Sequence, residues 1–164
     1  MSNIDFNWLK EHLSYNQETG IFTWIKSPSG NVKEDTQTGC KNGQNYIFIG
    51  IKGRIYLAHR LAWLFSHGTW PNHEIDHINK NKSDNRLVNL RLATRNQNNQ
   101  NRKQFSNNSS GHTGVRWHEK DKRWHAYIGI NKKLIFLGGY KIIEDAISAR
   151  KKAEKELFTH APSH

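Results

Sequence analysis

Between Asn72 and Asn108 the chain passes through eleven asparagines, at Asn72, Asn79, Asn81, Asn85, Asn89, Asn96, Asn98, Asn99, Asn101, Asn107 and Asn108. A tract this polar cannot bury enough apolar surface to fold by itself. It is interrupted, however, by the apolar pairs Ile75/Ile78, Leu87/Leu90 and Leu92/Ala93, which predict a compact, loop-rich unit pinned to a core that other segments supply. That core has to come from large side chains: only 35% of the 164 residues are hydrophobic, but six Trp, seven Phe and five Tyr are among them, and each aromatic buries a large area. A folded chain with a modest core is expected, built as one domain or two small ones.

The flanking segments read as regular structure. Phe6, Leu9 and Leu13 fall at helical spacing within residues 5–14, and Ile21-Phe22-Thr23-Trp24-Ile25 has the β-branched and aromatic content of a strand. Residues 31–43 are polar and glycine-containing, and predict a loop. Tyr46 to Ile49 and Arg54 to Leu57 flank Gly50-Ile51-Lys52-Gly53 as the arms of a hairpin. Leu57 to His67 then carries Leu57, Leu61, Trp63, Leu64 and Phe65, an amphipathic helix stopped by Gly68 with Pro71 beyond it. Arg102 to Ser110 is the expected interdomain linker.

Beyond it, Gly114 to Trp117, Arg123 to Ile128 and Lys133 to Leu137 read as three strands. A helix follows, with Ile143, Ala146, Ile147, Ala149, Ala153 and Leu157 on its apolar face. Arg150/Glu154 and Lys152/Glu156 lie four apart on the remaining surface, where such pairs contribute about 0.2–0.5 kcal/mol each.

Charge limits the partners. There are 25 Lys and Arg against 14 Asp and Glu, a formal net charge of +11. Residues 1–56 hold 6 basic and 5 acidic side chains, residues 57–104 hold 8 and 3, and residues 105–164 hold 11 and 6. The field belongs to the last two thirds. It attracts polyanions, with nucleic acid, acidic membranes and acidic proteins all compatible. No apolar run approaches the roughly 20 residues of a membrane span, and the N-terminus, with Asp5, Lys10, Glu11 and His12, lacks the apolar centre of a signal peptide. A soluble, cytoplasmic protein without membrane association is expected. Cys40 is the sole cysteine, so there is no disulfide partner within the chain and any metal must be held by His, Asp, Glu or Asn.

The chemistry concentrates in the asparagine tract. Ile75-Asp76-His77-Ile78-Asn79, Asp84-Asn85-Arg86, Asn89-Leu90-Arg91 and Asn98 form an ordered series of oxygen ligands and proton carriers. Adjacent Asp76 and His77 point to opposite sides of an extended segment, so one can bind a metal while the other addresses water. Thr94 can cap a helix that starts at Arg95 and carries Asn98 on its first turns. Asp76 and Asn98 offer the hard oxygens that Mg²⁺ takes, and an imidazole such as His77 accepts a proton near neutral pH. His59, among apolar neighbours on a helix, reads as a packed histidine; His67 and His73 read as exposed loop residues.

These residues resemble the HNH family of ββα-metal (His-Me finger) endonucleases, in the branch common in phage and intron-encoded homing enzymes. The resemblance covers 57–101: His59-Arg60-Leu61, Asp76-His77, Asp84-Asn85-Arg86, Asn89-Leu90-Arg91 and the helix asparagine Asn98. It implies that Asp76 and Asn98 bind the divalent metal, His77 activates water and Asn89 braces the loop. Asp and Asn replace the first and last His of the motif's name, which favours Mg²⁺, with Mn²⁺ as a substitute. Asn96, Asn99 and Asn101 stand beside Asn98 as alternatives for its role.

Residues 109–158 resemble the Apetala-two type of DNA-binding domain through Gly114-Val115-Arg116, Lys122-Arg123-Trp124-His125-Ala126, Leu137-Gly138 and the alanine-rich helix. That family lays a three-stranded sheet in the major groove. The resemblance implies DNA contacts from Arg116, His118 and Tyr127 and phosphate contacts from Lys132 and Lys133. Gly129 and Leu134 stand where plant members carry Arg, so the plant recognition sequence does not carry over.

The expectation is an α+β chain: a unit at 1–104 containing the ββα-metal motif, then, at 105–164, the linker and a small three-stranded antiparallel sheet plus helix. It is read as a phage-encoded, site-selective endonuclease of the homing type, nicking double-stranded DNA by a one-metal mechanism with a His general base. The alternative, from a different class, is a non-cleaving DNA-binding regulator with an inactive nuclease fold.

Overall fold

The structure is a computed structural model, described here for residues 4–27, 33–101 and 110–160. The chain divides into two compact units, Met1–Thr94 and Arg95–His164. Most of the expected linker, 102–109, lies outside the described residues.

In the first unit, helix α1 (Phe6–His12) starts where the Asp5 carboxylate accepts the Asn7 N–H at 2.9 Å, an N-cap that satisfies one of the helix's orphan donors. Strand β1 (Leu13–Tyr15) follows directly and pairs with β2 (Phe22–Trp24), which in turn pairs with β3 (Gln37–Thr38). A second sheet takes β4 (Cys40–Lys41), β5 (Ile47–Ile51) and β6 (Arg54–Leu57) in order. The segment read as loop over 31–43 therefore contributes two strands, each of two residues, too short for any alternation to show in the sequence. The β5–β6 turn is only Lys52-Gly53, with φ of 48° and 73°; Gly50 and Ile51 belong to the strand. Positive φ at both turn positions matches the right-handed twist of the arms.

Helix α2 (Ala58–His67) ends where expected, at Gly68, whose φ of 73° lets its N–H reach the Leu64 carbonyl at 2.8 Å. After it, β7 (Glu74–His77) pairs antiparallel with β8 (Leu90–Ala93), the two joined through a loop and a single 3-10 turn at Leu87–Asn89. Ile75 and Leu90 enter the same core as Leu9, Leu13, Phe22, Trp24, Ile49, Ile51, Leu61 and Leu64. These two residues, with Leu92 packed against the same core, anchor the asparagine tract. Val88 is 79% exposed.

The second unit opens with α3 (Arg95–Gln100) and contains β9 (Val115–His118), β10 (Arg123–Ile130) and β11 (Lys133–Tyr140), ordered β11-β10-β9, followed by α4 (Ile143–Leu157). Val115 and Ala126 from the sheet and Ala146 from α4 form its core, with Trp124, Leu137, Tyr140, Ile143 and Ile147 packed around them. Leu157, expected on the apolar face, is 46% exposed because it lies in the last turn. Arg150 and Glu154 also differ from expectation. They are buried rather than on a solvated surface, with Arg150 Nε and Nη2 on Glu154 Oε1 at 2.9 Å and Nη1 donating to the Tyr127 carbonyl at 2.7 Å. That carbonyl is accessible because Gly114, at φ 79°, has no Cβ; one placed there would stand 2.4 Å from the Tyr127 oxygen.

Candidate functional site

The β7–β8 hairpin sets the site. Its register places Asp76 opposite Arg91 and His77 opposite Leu90, so the two candidate side chains occupy opposite faces of the ribbon. The Asp76 Oδ2 accepts from Arg91 Nε at 2.9 Å and from Arg91 Nη2 at 2.7 Å. With the Asp76 side chain 7% exposed, a fixed, charge-assisted pair aims this carboxylate. Arg91 was part of the motif read from the sequence, but its role was not. The signal was available in principle, since opposite charges directly across an antiparallel ladder pair.

His77 is buried on the other face. Its ring meets the His59 ring edge to face at a centroid distance of 5.1 Å, and Tyr46 lies 5.4 Å from His59 and 6.0 Å from His77. His59 is packed, as its apolar neighbours suggested, and what it packs against is His77. Burial lowers the His77 pKa; the Asn85 contact, Asp76 and Asp84 work against that shift and Lys82 works with it. Burial, assisted by His77 and Arg60, lowers His59 further, to about 3. Both imidazoles are therefore neutral near pH 7, the state in which a histidine can take a proton.

Asn89 clamps the loop between the strands. Its Oδ1 accepts the Asn79 N–H at 2.9 Å and its Nδ2 donates to the Asp84 carbonyl at 2.8 Å. Asp84 is held in turn by Arg86, whose Nε and Nη2 donate to its two oxygens at 2.8 and 2.7 Å; these bonds bring the Asp84 pKa down to about 2. Between them Asn85, 2% exposed, presents Oδ1 to His77 Nε2 at 3.4 Å. The N-terminal part of the chain supports this loop from behind. Tyr15 donates its hydroxyl to the Asn85 carbonyl at 2.7 Å and the Gln17 carbonyl accepts the Leu87 N–H at 3.1 Å. Gly20, at φ 73°, approaches so closely that a Cβ would lie 2.6 Å from the Arg86 nitrogen. Tyr15 and Gly20 are supporting residues that sequence reasoning missed, and Asn85 was read as part of the motif but without this role, since contacts between loops leave no periodicity.

Asn98 lies half-buried on α3, in the second unit. Within the first unit, the carboxylate of Asp76 is a hard oxygen donor of the kind that Mg²⁺ or Mn²⁺ takes. His73 is exposed in the segment before β7, and His67 is exposed but on the last turn of α2, stacked on Trp63 at 3.9 Å. Cys40 is an exposed free thiol.

In the second unit Arg116, His118 and Tyr127 share one face of the sheet, since Arg116 pairs with His125 and His118 with Arg123 across β9 and β10. Arg116 Nη2 donates to the Tyr127 hydroxyl at 3.2 Å and its guanidinium lies 4.6 Å over the Tyr127 ring. The exposed Phe136 is paired opposite Tyr127. Lys132 occupies the β10–β11 turn at φ 65° and Lys133 begins β11, both exposed.

Residues 56–100 match the family model described as HNH endonuclease, which supports a nuclease, one whose substrate is DNA and which works with a divalent metal. No curated protein and no solved structure matches the chain. Among the described residues no helix is long and apolar enough to cross a membrane.

Proposed function

We propose that the chain is a site-selective DNA endonuclease of the homing type, in which Asp76 and Asn98 hold one divalent ion, His77 is the general base and Asn89 braces the loop. The observation that carries this reading is the pairing of a buried, neutral His77 with an Arg91-aimed Asp76 on opposite faces of one two-stranded ribbon. When bound, the ion supplies charge stabilisation at the scissile phosphate and the leaving oxygen. His77 takes the proton of the attacking water at its imidazole, a contribution on the order of 10²–10⁴-fold. Arg91 orients Asp76, and Asn85 and Asn89 fix the loop on which the reacting groups depend. Arg116, His118 and Tyr127 read the major groove, and Lys132 and Lys133 hold phosphates.

One such site per chain cuts one strand at a time, so a single copy nicks. The chain is phage-encoded on this reading and acts in the host cell. Incubation with supercoiled plasmid tests the proposal: relaxed circles should form with Mg²⁺ or Mn²⁺ and not with EDTA. Retention of the supercoiled form under all metal conditions, with DNA still bound, would instead favour a non-cleaving regulator.

A further inference from the structure

The turn between β9 and β10 brings together three donor atoms outside the nuclease centre of Asp76 and His77, one of them on His118 of the proposed groove-reading face. His118 ends β9, Asp121 lies in the turn and His125 lies on β10. Asp121 Oδ2 is 3.2 Å from His118 Nδ1 and 2.8 Å from His125 Nε2, and all three atoms lie within 4.8 Å of one another. We propose that His118, Asp121 and His125 form a binding site for a late first-row transition ion, Zn²⁺ by class, on the open face of the second unit's sheet.

The donor set argues the metal. Two imidazole nitrogens and one carboxylate oxygen suit Zn²⁺, which commonly takes three protein ligands and a water; they do not suit Mg²⁺, which takes oxygen. Four-coordinate zinc with bonds near 2.0–2.1 Å needs its donors about 3.3 Å apart, close to the 3.2 Å from Asp121 to His118 and about half an ångström beyond the 2.8 Å to His125.

His125 is the fixed ligand. Its side chain is 9% exposed, the Phe136 ring packs on it with centroids 5.0 Å apart, and the Tyr127 hydroxyl lies 3.2 Å from Nδ1. With the ring proton on Nδ1 donated to the Tyr127 oxygen, Nε2 presents its lone pair to the ion, the outer hydrogen bond that orients metal-binding histidines. Gly139 leaves room beside it, since a Cβ there would stand 3.4 Å from His125 Nε2.

His118 is the adjustable ligand. Its ring is stacked on His125 at 4.3 Å with planes 7° apart, so an ion cannot lie in both ring planes until one ring turns. The His118 side chain is 36% exposed and has the freedom to do so. With the ion in place of the contacts to Asp121, each imidazole would offer a ring-nitrogen lone pair to it and carry its proton on the nitrogen turned away from the ion. The bound ion would tie the β9–β10 turn to the strand that carries Tyr127.

The test uses the full chain stripped of metal and titrated with Co²⁺, followed by displacement with Zn²⁺. The native chain should show the visible absorption of a four-coordinate Co²⁺ centre, lost on adding Zn²⁺. His118→Ala and Asp121→Asn, both at side chains at least a third exposed, should weaken this binding at least tenfold while the far-ultraviolet circular dichroism stays native. Asp76→Asn should keep the spectrum, which separates this site from the nuclease centre whether or not the latter cuts DNA. Absence of the spectrum in the native chain, or its persistence in both second-unit variants, would overturn the proposal and leave Asp121 as a hydrogen-bond acceptor only.

Discussion

Arg91 stands directly across the β7–β8 ladder from Asp76 and places two guanidinium nitrogens on one carboxylate oxygen, at 2.7 and 2.9 Å. Removing the arginine takes two charge-assisted bonds from a nearly buried carboxylate, whereas removing both partners leaves no such deficit. Because Arg91 is about a quarter exposed, with 24% of its side chain accessible, the cost is set below that of a fully buried pair. Arg91→Ala should lower stability by about 1–3 kcal/mol. In a urea double-mutant cycle with Asp76→Ala the two effects should fall short of additive by at least about 1 kcal/mol. Additivity within about 0.3 kcal/mol would mean that the pair does not orient Asp76.

Asn89 makes two bonds with one amide, so Asn89→Ala should cost about 1–3 kcal/mol by leaving the Asn79 N–H and the Asp84 carbonyl without their partner. Plasmid nicking should slow at least tenfold, since the loop behind His77 loses its clamp. A stability loss in denaturant titration with an unchanged nicking rate would assign Asn89 to folding alone.

The pH dependence follows from His59. Its folded-state pKa of about 3 lies below the ordinary 6.5, so the unfolded chain binds the proton first. Stability is therefore full above about pH 6.5 and falls as the pH drops toward 3, by about 2 kcal/mol between pH 6.5 and 5 from this group. His77, lowered by burial, acts in the same direction. His59→Leu should flatten the decline when chemical denaturation is repeated across this range. A slope unchanged by the substitution would place the acid sensitivity elsewhere.

On the second unit, Arg116 and Lys132 should separate reading from holding. Arg116→Ala should cost about 1–3 kcal/mol on the preferred site and relax the base preference. Lys132→Ala should weaken all sequences alike and reduce the salt dependence of binding by about one unit of slope. Equal losses across sequences for both variants, measured by fluorescence anisotropy over a salt series, would count against Arg116 as a reader.

Much of this fold was legible because its segments repeat at short period. Leu61 and Leu64 mark α2 and Gly68 ends it, and Ala146, Ile147 and Ala153 mark α4. The two-residue strands at Gln37–Thr38 and Cys40–Lys41 were invisible because pairing of that length is decided by tertiary neighbours. Arg150 and Glu154 read as surface charges because spacing reveals which residues share a helix face but not what the face meets. In the candidate site, the sequence singled out Asp76, His77 and, as the brace of the loop, Asn89. It did not show how the neighbouring residues hold them. Arg91 acts through strand register, Asn85 through burial in a loop, and Gly20 through a backbone approach from 66 residues upstream of Arg86.

The most direct measurement compares the native chain with His77→Ala for conversion of supercoiled plasmid to open circles in Mg²⁺, with DNA binding followed in parallel. The account expects the variant to bind DNA as the native chain does and to nick at least 10²-fold more slowly, the lower end of general-base contributions. Nicking by His77→Ala at the native rate would contradict the assignment of the base and, with it, the proposed mechanism.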